Sequence, residues 1–173
     1  MLAPLHMCEI TVRNAVAEAL CAVYGPRWPW QSTFEMSLPM PKGPGYNPRR
    51  DLIDTRKRVP TPDRVIVELK FKFWESLFTR RHDARVWIPQ LFTTFPHLPR
   101  DRSVAEHRQR LADDLKSIRL LRNRIAHHEP IFNRKLAEDL SRAKKIVAAR
   151  CGVCASWMLG EQLATAAIGA NPL

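Results

Sequence analysis

The sequence predicts an all-α protein, a bundle of about five helices with one long, proline-rich basic loop. Three observations predict this class. Apolar residues recur at helical spacing over long stretches, helix-start signals precede two of these stretches, and no stretch alternates apolar and polar residues as a half-buried strand does. Helices of this kind bury their apolar faces against each other, so residues 1–173 are predicted to form a single helical domain.

The composition excludes several classes of protein. An apolar fraction of 45% over 173 residues is enough to form a core, which argues against a disordered chain. There is no run of about 18 apolar residues, and the first ten residues lack the layout of a signal peptide, so we expect a cytoplasmic protein with no membrane partner. The 28 Lys and Arg residues against 17 Asp and Glu give a net charge of +11. Such a charge is typical of nucleic-acid binders and also occurs in proteins with other acidic partners.

The four cysteines do not predict a metal site. They are Cys8, Cys21, Cys151 and Cys154. The last two form a C-x-x-C pair, but no second pair of ligands follows at the spacing that zinc requires. We therefore expect reduced thiols, no metal and no cofactor.

The first part of the chain is predicted to contain one regular helix and the basic loop. Residues 4–24 carry apolar side chains at helical spacing, and Gly25-Pro26 ends that helix. An aromatic-rich turn follows over residues 25–34. Six prolines and six basic residues fall within residues 38–62, which are predicted to form a long, mobile basic loop.

Helices are predicted for the rest of the chain. Thr61-Pro62-Asp63 is a helix start, and the second helix is expected to reach about Arg81 with apolar residues on nearly every side, as in a central or interface helix. A shorter element is expected over residues 84–95. Further helices are predicted from the capping box at Ser103 to about Glu129, over 133–150 and over 152–168, with a tail at 169–173.

Arg122 is the most unusual residue of the helix that begins at Ser103. The apolar stripe of this helix consists of Leu111, Leu115, Ile118 and Ile125. At about 100° per residue, Arg122 falls in the middle of that stripe. An unpaired guanidinium is costly to bury, so either a carboxylate meets Arg122 or the stripe opens there onto a cleft or a subunit interface.

Two histidines follow at the end of the same helix. Asn123 and His127 are four residues apart, so the amide and the imidazole share a face. His128 presents a second imidazole on another side. For the histidines alone, a contact with the helix C-terminus or an exposed turn is the simpler interpretation.

A second polar group lies on the first helix, where Glu9 and Arg13 are also four residues apart. The simpler interpretation is one exposed ion pair that stabilises the helix by a few tenths of a kcal/mol. The functional interpretation is that Glu9 orients an arginine of the segment around residue 122.

Residues 121–132, LRNRIAHHEPIF, closely resemble the signature of the Abi-like (abortive infection) proteins of the HEPN superfamily. Proteins of that superfamily carry an Arg, usually followed by Asn, and then a His, with four to six residues between the Arg and the His. Arg122, Asn123 and His127 fit this motif with four intervening residues. His128 fits it with five, so the motif leaves the choice of histidine open.

The resemblance covers most of the chain. Residues 5–14 resemble the N-terminal helix of the family, and residues 65–95 resemble its central apolar portion. Residues 35–62 are the least similar. The resemblance implies a HEPN-type helical bundle formed by the whole chain.

The resemblance also implies an activity, that of a metal-independent endoribonuclease of the toxin or phage-defence type. It would act as a homodimer, with the motifs of both chains lining one cleft. RNA cleavage can use the substrate's own 2′-hydroxyl as nucleophile and leave a 2′,3′-cyclic phosphate, so the protein must supply a titrating group and a cation. His127 would be the titrating group, Arg122 the phosphate ligand, and Asn123 a hydrogen-bonding residue that fixes one of them. The further candidates for substrate contact are Arg124, His128, Glu9 and Arg13.

Two other functions stay open on the sequence. In the first, the motif only holds phosphate in a non-catalytic RNA-binding or partner-regulated module. In the second, Arg122 and Asn123 serve the internal structure of the bundle. RNA is the expected partner, with an antitoxin or regulatory protein as a further one that the sequence does not identify.

Overall fold

The computed structural model describes residues 1–170, and these contain no β-strand. The all-α class is confirmed, with ten α-helices within the described residues. They are α1 (Leu2–Tyr24), α2 (Ser32–Ser37), α3 (Pro48–Arg58), α4 (Pro62–Glu68), α5 (Phe71–Ser76), α6 (Ile88–Thr94), α7 (Val104–Ala126), α8 (Leu136–Arg150), α9 (Gly152–Gly160) and α10 (Ala164–Ala170). Not one of these ten helices has the length and apolar character needed to cross a membrane. Of the predicted tail, residues 169–170 end α10 and residues 171–173 lie outside the described part of the chain.

The capping box predicted at the start of α7 is confirmed. The Ser103 hydroxyl accepts a hydrogen bond from the Glu106 N–H, and the Glu106 carboxylate accepts one from the Ser103 N–H. The far end of α7 differs from the prediction, because the helix ends at Ala126 rather than near Glu129. His128 adopts a φ of 56°, and the Glu129 N–H donates to the Arg124 carbonyl. The chain therefore leaves the helix after Ala126, about one helical turn before Pro130.

The second predicted helix begins after its cap at Thr61, as expected. The prediction that it continues without a break to about Arg81 is wrong. The helix breaks at Leu69 and Lys70, whose ψ angles of 134° and 149° are extended, and so forms α4 and α5. A straight helix with apolar residues all round would leave part of them in water. The break lets the whole set turn inward, and the following residues are at most 6% exposed: Val65, Leu69, Phe71, Phe73, Trp74, Leu77 and Phe78. One further break, after Gly160, divides the stretch 152–168 into α9 and α10, so the predicted number of about five helices is too low.

The mobile basic loop predicted over residues 38–62 is wrong from Pro48 to Arg58, which form α3. Of the six prolines, Pro48 alone lies within α3, and it occupies the first turn, where proline is tolerated. The Asn47 side chain caps the helix by accepting from the Arg50 N–H. Two of the six basic residues of this stretch brace the fold. Arg49 donates to the carbonyls of residues 36 and 38, and Arg56 donates to the Pro29 carbonyl and the Glu35 carboxylate.

The core lies around α1, whose buried face packs against α5, α6, α7 and α8. Its largest fully buried side chains are Trp28, Trp74 and Trp87. α1 and α7 each span 23 residues. Because both cross the core, they bring residues near position 9 and near position 122 to the same side of the molecule.

Acidification is expected to destabilise this fold through His82. Its ring is 2% exposed and Nε2 has no hydrogen-bond partner within residues 1–170. Burial and the neighbouring Arg81 lower the pKa of His82 to about 4, so the folded state keeps the ring neutral. In the unfolded chain the pKa of a histidine is about 6.5. The neutral His82 ring therefore contributes its full share to the free energy of unfolding above that pH, and this share is lost as the pH falls toward 4. Between pH 7.5 and pH 5 we expect a loss of about 2 kcal/mol in the free energy of unfolding.

Urea unfolding at the two pH values tests this expectation. The His82→Gln variant should show a much smaller change between them. Replacement of the exposed His97 by Gln is the matched control and should keep the wild-type change. Equal pH dependence in wild type and His82→Gln would contradict the assignment.

Candidate functional site

Arg122 lies where the apolar stripe of α7 opens to solvent. Leu115, Ile118 and Leu121 are fully buried, whereas the Arg122 side chain is 41% exposed. Its Nε lies 3.6 Å from Oε2 of Glu9 on α1. Both outcomes expected from the sequence therefore occur together, because a carboxylate meets the guanidinium and the surface opens at that level.

Glu9 is a buried carboxylate shared by two arginines. It is 4% exposed, and Arg13 Nη2 donates to its Oε1 at 2.7 Å. Arg13 Nη1 donates to the carbonyls of Ile66 and Val67 near the end of α4. The interpretation of Glu9 and Arg13 as an exposed ion pair is wrong, because Glu9 is buried. The contacts of these two residues connect α1 with α4 and α7. A carboxylate repels phosphate and both terminal nitrogens of Arg13 are occupied, so these two residues suit positioning of Arg122 better than substrate contact.

A depression of about 370 Å³ opens beside this cluster. Its lining is Glu9, Arg13, residues 67–72, Arg119, Arg122 and Asn123. The cationic side chains of this lining are Arg13, Lys70, Lys72, Arg119 and Arg122, against the carboxylates of Glu9 and Glu68. Guanidinium and ammonium groups at the rim of a polar depression are suited to bind phosphate.

The structure separates the two histidines from this depression. His127 and His128 are exposed, and neither belongs to its lining. His127 is the C-cap residue of α7, and its backbone N–H donates to the Asn123 backbone carbonyl at 2.9 Å. Arg122 and Asn123 thus lie together in one chain, whereas the imidazole follows one turn later on the outer surface.

Arg124 differs from the other candidates because it has its own partner. Its Nε lies 3.4 Å from the Glu129 carboxylate, and its side chain is 40% exposed. This pair spans the turn after α7 and does not belong to the lining of the depression. Arg124 therefore suits stabilisation of the turn that carries His127 and His128.

Sequence reasoning missed a second buried carboxylate, Glu75 on α5. It is 7% exposed and pairs with Lys72, at 2.5 Å, and with Arg119 on α7. The only local signal is the three-residue spacing of Lys72 and Glu75. Arg119 is 44 residues away from Glu75 in the chain, so nothing in the sequence pattern connects them.

A larger cavity, of about 970 Å³, lies elsewhere and is mainly apolar. It is bounded by the N-terminus of α1, residues 131–137 and α10. Its volume exceeds that of the depression, but it lacks a cluster of cations and carboxylates. Arg122 and Asn123 of the sequence motif line the smaller depression instead.

Comparison of the chain with protein-family models, with curated proteins and with solved structures gave no match. The resemblance to Abi-like proteins consequently depends on the sequence patterns alone, chiefly the segment around Arg122, Asn123 and His127. What the fold and the site define by themselves is an all-α protein with a cationic depression whose arginines are held by buried carboxylates.

Proposed function

We propose that this chain is a metal-independent endoribonuclease of the HEPN, Abi-like type, acting in the cytoplasm as a toxin or phage-defence effector. The observation that carries the proposal is the Glu9–Arg122 pair at the rim of a cationic depression, with Asn123 beside it. A buried carboxylate that fixes an exposed guanidinium prepares that group to bind an anion. The net charge of +11 supports RNA as the substrate.

In the proposed reaction the 2′-hydroxyl of the RNA attacks the adjacent phosphorus. Arg122 binds the phosphate and stabilises its developing charge. His127 exchanges the proton with the attacking or the leaving oxygen. Asn123, in the same turn as Arg122, hydrogen-bonds the phosphate or the imidazole. The products are a 2′,3′-cyclic phosphate and a 5′-hydroxyl, and DNA is not cleaved because it lacks the nucleophile.

The proposal includes a homodimer, but the reason for it differs from the one inferred from the sequence. The apolar second helix that favoured an interface on the sequence is buried within the chain, as α4 and α5, and no longer supports one. The support now comes from the resemblance and from the exposed position of His127 outside the depression. A partner chain would bring its own motif to the same cleft, and an antitoxin or regulatory protein would control access to it.

The second candidate function is a non-catalytic RNA-binding or partner-regulated module. The separation of both histidines from the depression favours it, because the cations alone can hold phosphate. In that case Arg122 binds RNA and the imidazoles have no chemical part.

The test is incubation of the purified protein with total RNA and with DNA in EDTA, followed by analysis of the fragment ends. We expect RNA fragments with cyclic phosphate ends and intact DNA. The Arg122→Lys variant keeps the charge but loses the two-pronged contact, so its cleavage should fall about tenfold.

Purification of wild type and Arg122→Lys by the same procedure excludes a contaminating nuclease, which would act equally in both. Lys116→Ala, at an exposed position of α7 outside the depression, is the matched control and should cleave as wild type does. Retention of RNA without cleavage by any of the proteins would support the binding module instead.

A further inference from the structure

Two buried carboxylates, Glu9 and Glu75, pair with cations that line the depression. Glu9 holds Arg13 and Arg122, and Glu75 holds Lys72 and Arg119. The sequence motif contains Arg122 and does not contain Arg119 or Lys72. The structure therefore has a second carboxylate-braced pair of cations that the proposed reaction does not use.

Arg119 and Arg122 lie on one face of α7. They are three residues apart, which separates them by about 4.5 Å along the helix axis and brings their Cβ atoms within about 5–6 Å. Both residues line the depression. Neighbouring phosphates along one nucleic-acid strand can span this spacing.

Both arginines are anchored through the same atom. Arg119 contacts Glu75 through Nε, and Arg122 faces Glu9 through Nε. Within residues 1–170, the terminal Nη groups of these two arginines make no hydrogen bond, unlike those of Arg13. Each guanidinium thus faces a carboxylate through its Nε, and its two Nη groups have no protein partner among the described residues and can donate to the oxygens of a phosphate.

We infer that Arg119 and Lys72, braced by Glu75, form a second phosphate position beside Arg122, so that the depression holds two consecutive phosphates of one RNA strand. This inference rests on the proposed function, because it places the scissile phosphate at Arg122. The substrate is then a polynucleotide chain rather than a single phosphodiester. Arg119 contributes through the phosphate next to the one that reacts.

The test compares substrates that have only one phosphodiester and so a fixed register. A mixture of all RNA dinucleotides is compared with the same dinucleotides bearing a 5′-phosphate or a 3′-phosphate. For wild type we expect one of the two terminal phosphates to raise kcat/KM about tenfold, as one charge-assisted contact does. Arg119→Gln should lose this gain, so that its kcat/KM is about the same with and without the terminal phosphate.

Two further variants make the comparison secure. Arg119→Gln leaves the buried Glu75 with Lys72 alone, which can lower its stability. Lys72→Gln keeps the Arg119–Glu75 pair and should lose part of the gain in a fully folded protein. Lys116→Gln removes one exposed charge from the same helix, outside the depression, and should keep the whole gain.

Failure of this inference and failure of the proposed function give different results. If wild type cleaves dinucleotides but gains nothing from either terminal phosphate, or if Arg119→Gln and Lys72→Gln keep the gain, the second phosphate position is wrong. If wild type cleaves none of them, the 2′-deoxy dinucleotides serve as competitors against a labelled single-stranded oligonucleotide. A preference for the phosphorylated competitors that disappears in Arg119→Gln upholds the second position, and equal competition overturns it.

Discussion

The His127→Ala variant is expected to cleave RNA about 10²–10⁴-fold more slowly than wild type, as removal of a general acid or base does. Binding of RNA should change little, because the phosphate ligands of the depression are retained. The His128→Asn variant is expected to keep most of the activity. Cleavage rates measured on one labelled RNA under single-turnover conditions, with binding measured separately, distinguish these effects.

The backbone at the end of α7 favours His127 over His128 as the reacting group. The helical hydrogen-bond pattern continues through His127, whose N–H donates to the Asn123 carbonyl. The four-residue spacing therefore directs its side chain along the face of Asn123, although the exposed ring lies outside the lining of the depression. At His128 the φ of 56° turns the chain away from the helix axis.

Asparagine is the appropriate replacement at position 128, because it accepts the left-handed backbone more readily than alanine does. Both histidines are exposed, so neither variant should lower the melting temperature appreciably. Loss of cleavage in His128→Asn with full activity in His127→Ala would assign the chemistry to His128. Loss of RNA binding in His127→Ala would remove it from the chemistry and make it a binding residue.

The parts of the fold that were predictable from the sequence depend on local signals. The helix starts at Thr61 and Ser103 are fixed by side chains that cap the N–H groups three residues later, and both occur as predicted. The break at Leu69 and Lys70 has no such signal. It follows from packing of the apolar residues around it, which only the assembled core determines.

The error over residues 38–62 has a comparable physical origin. Proline and charge content favoured a loop, but the arginines of α3 bond to backbone carbonyls and a carboxylate from residues 29–38. Such partners are not visible in composition. Leu52 and Thr55, fully buried on the inner side of α3, complete its attachment to the core.

The candidate site was predictable only where a residue violated the helical pattern. Arg122 in an apolar stripe indicated a carboxylate partner or an opening, and Glu9 together with the depression supplies both. Arg119 violates no pattern, so its buried partner Glu75 could not be inferred. Long-range ion pairs of this kind depend on how α5 and α7 cross.

The Trp87→Ala variant is expected to lower the free energy of unfolding by about 3–5 kcal/mol. Trp87 is fully buried, stacks on Phe78 with ring centroids 4.5 Å apart, and donates from Nε1 to the Leu77 carbonyl at 2.8 Å. Alanine would leave a cavity and an unsatisfied carbonyl at the junction of α5 and α6. Since a domain has about 5–15 kcal/mol in total, this variant should unfold at much lower urea concentration.

Two companion variants separate the causes of that loss. Trp87→Phe keeps an aromatic ring against Phe78 and loses the hydrogen bond to Leu77, so it should cost about 1–3 kcal/mol. Trp157→Ala removes a tryptophan that is 57% exposed and should change stability by less than about 0.5 kcal/mol. If Trp157→Ala were as damaging as Trp87→Ala, the surface of α9 would have to be buried against another chain in solution. That result would locate an interface of the proposed homodimer at α9, because nothing within residues 1–170 covers Trp157 to the extent that it covers Trp87.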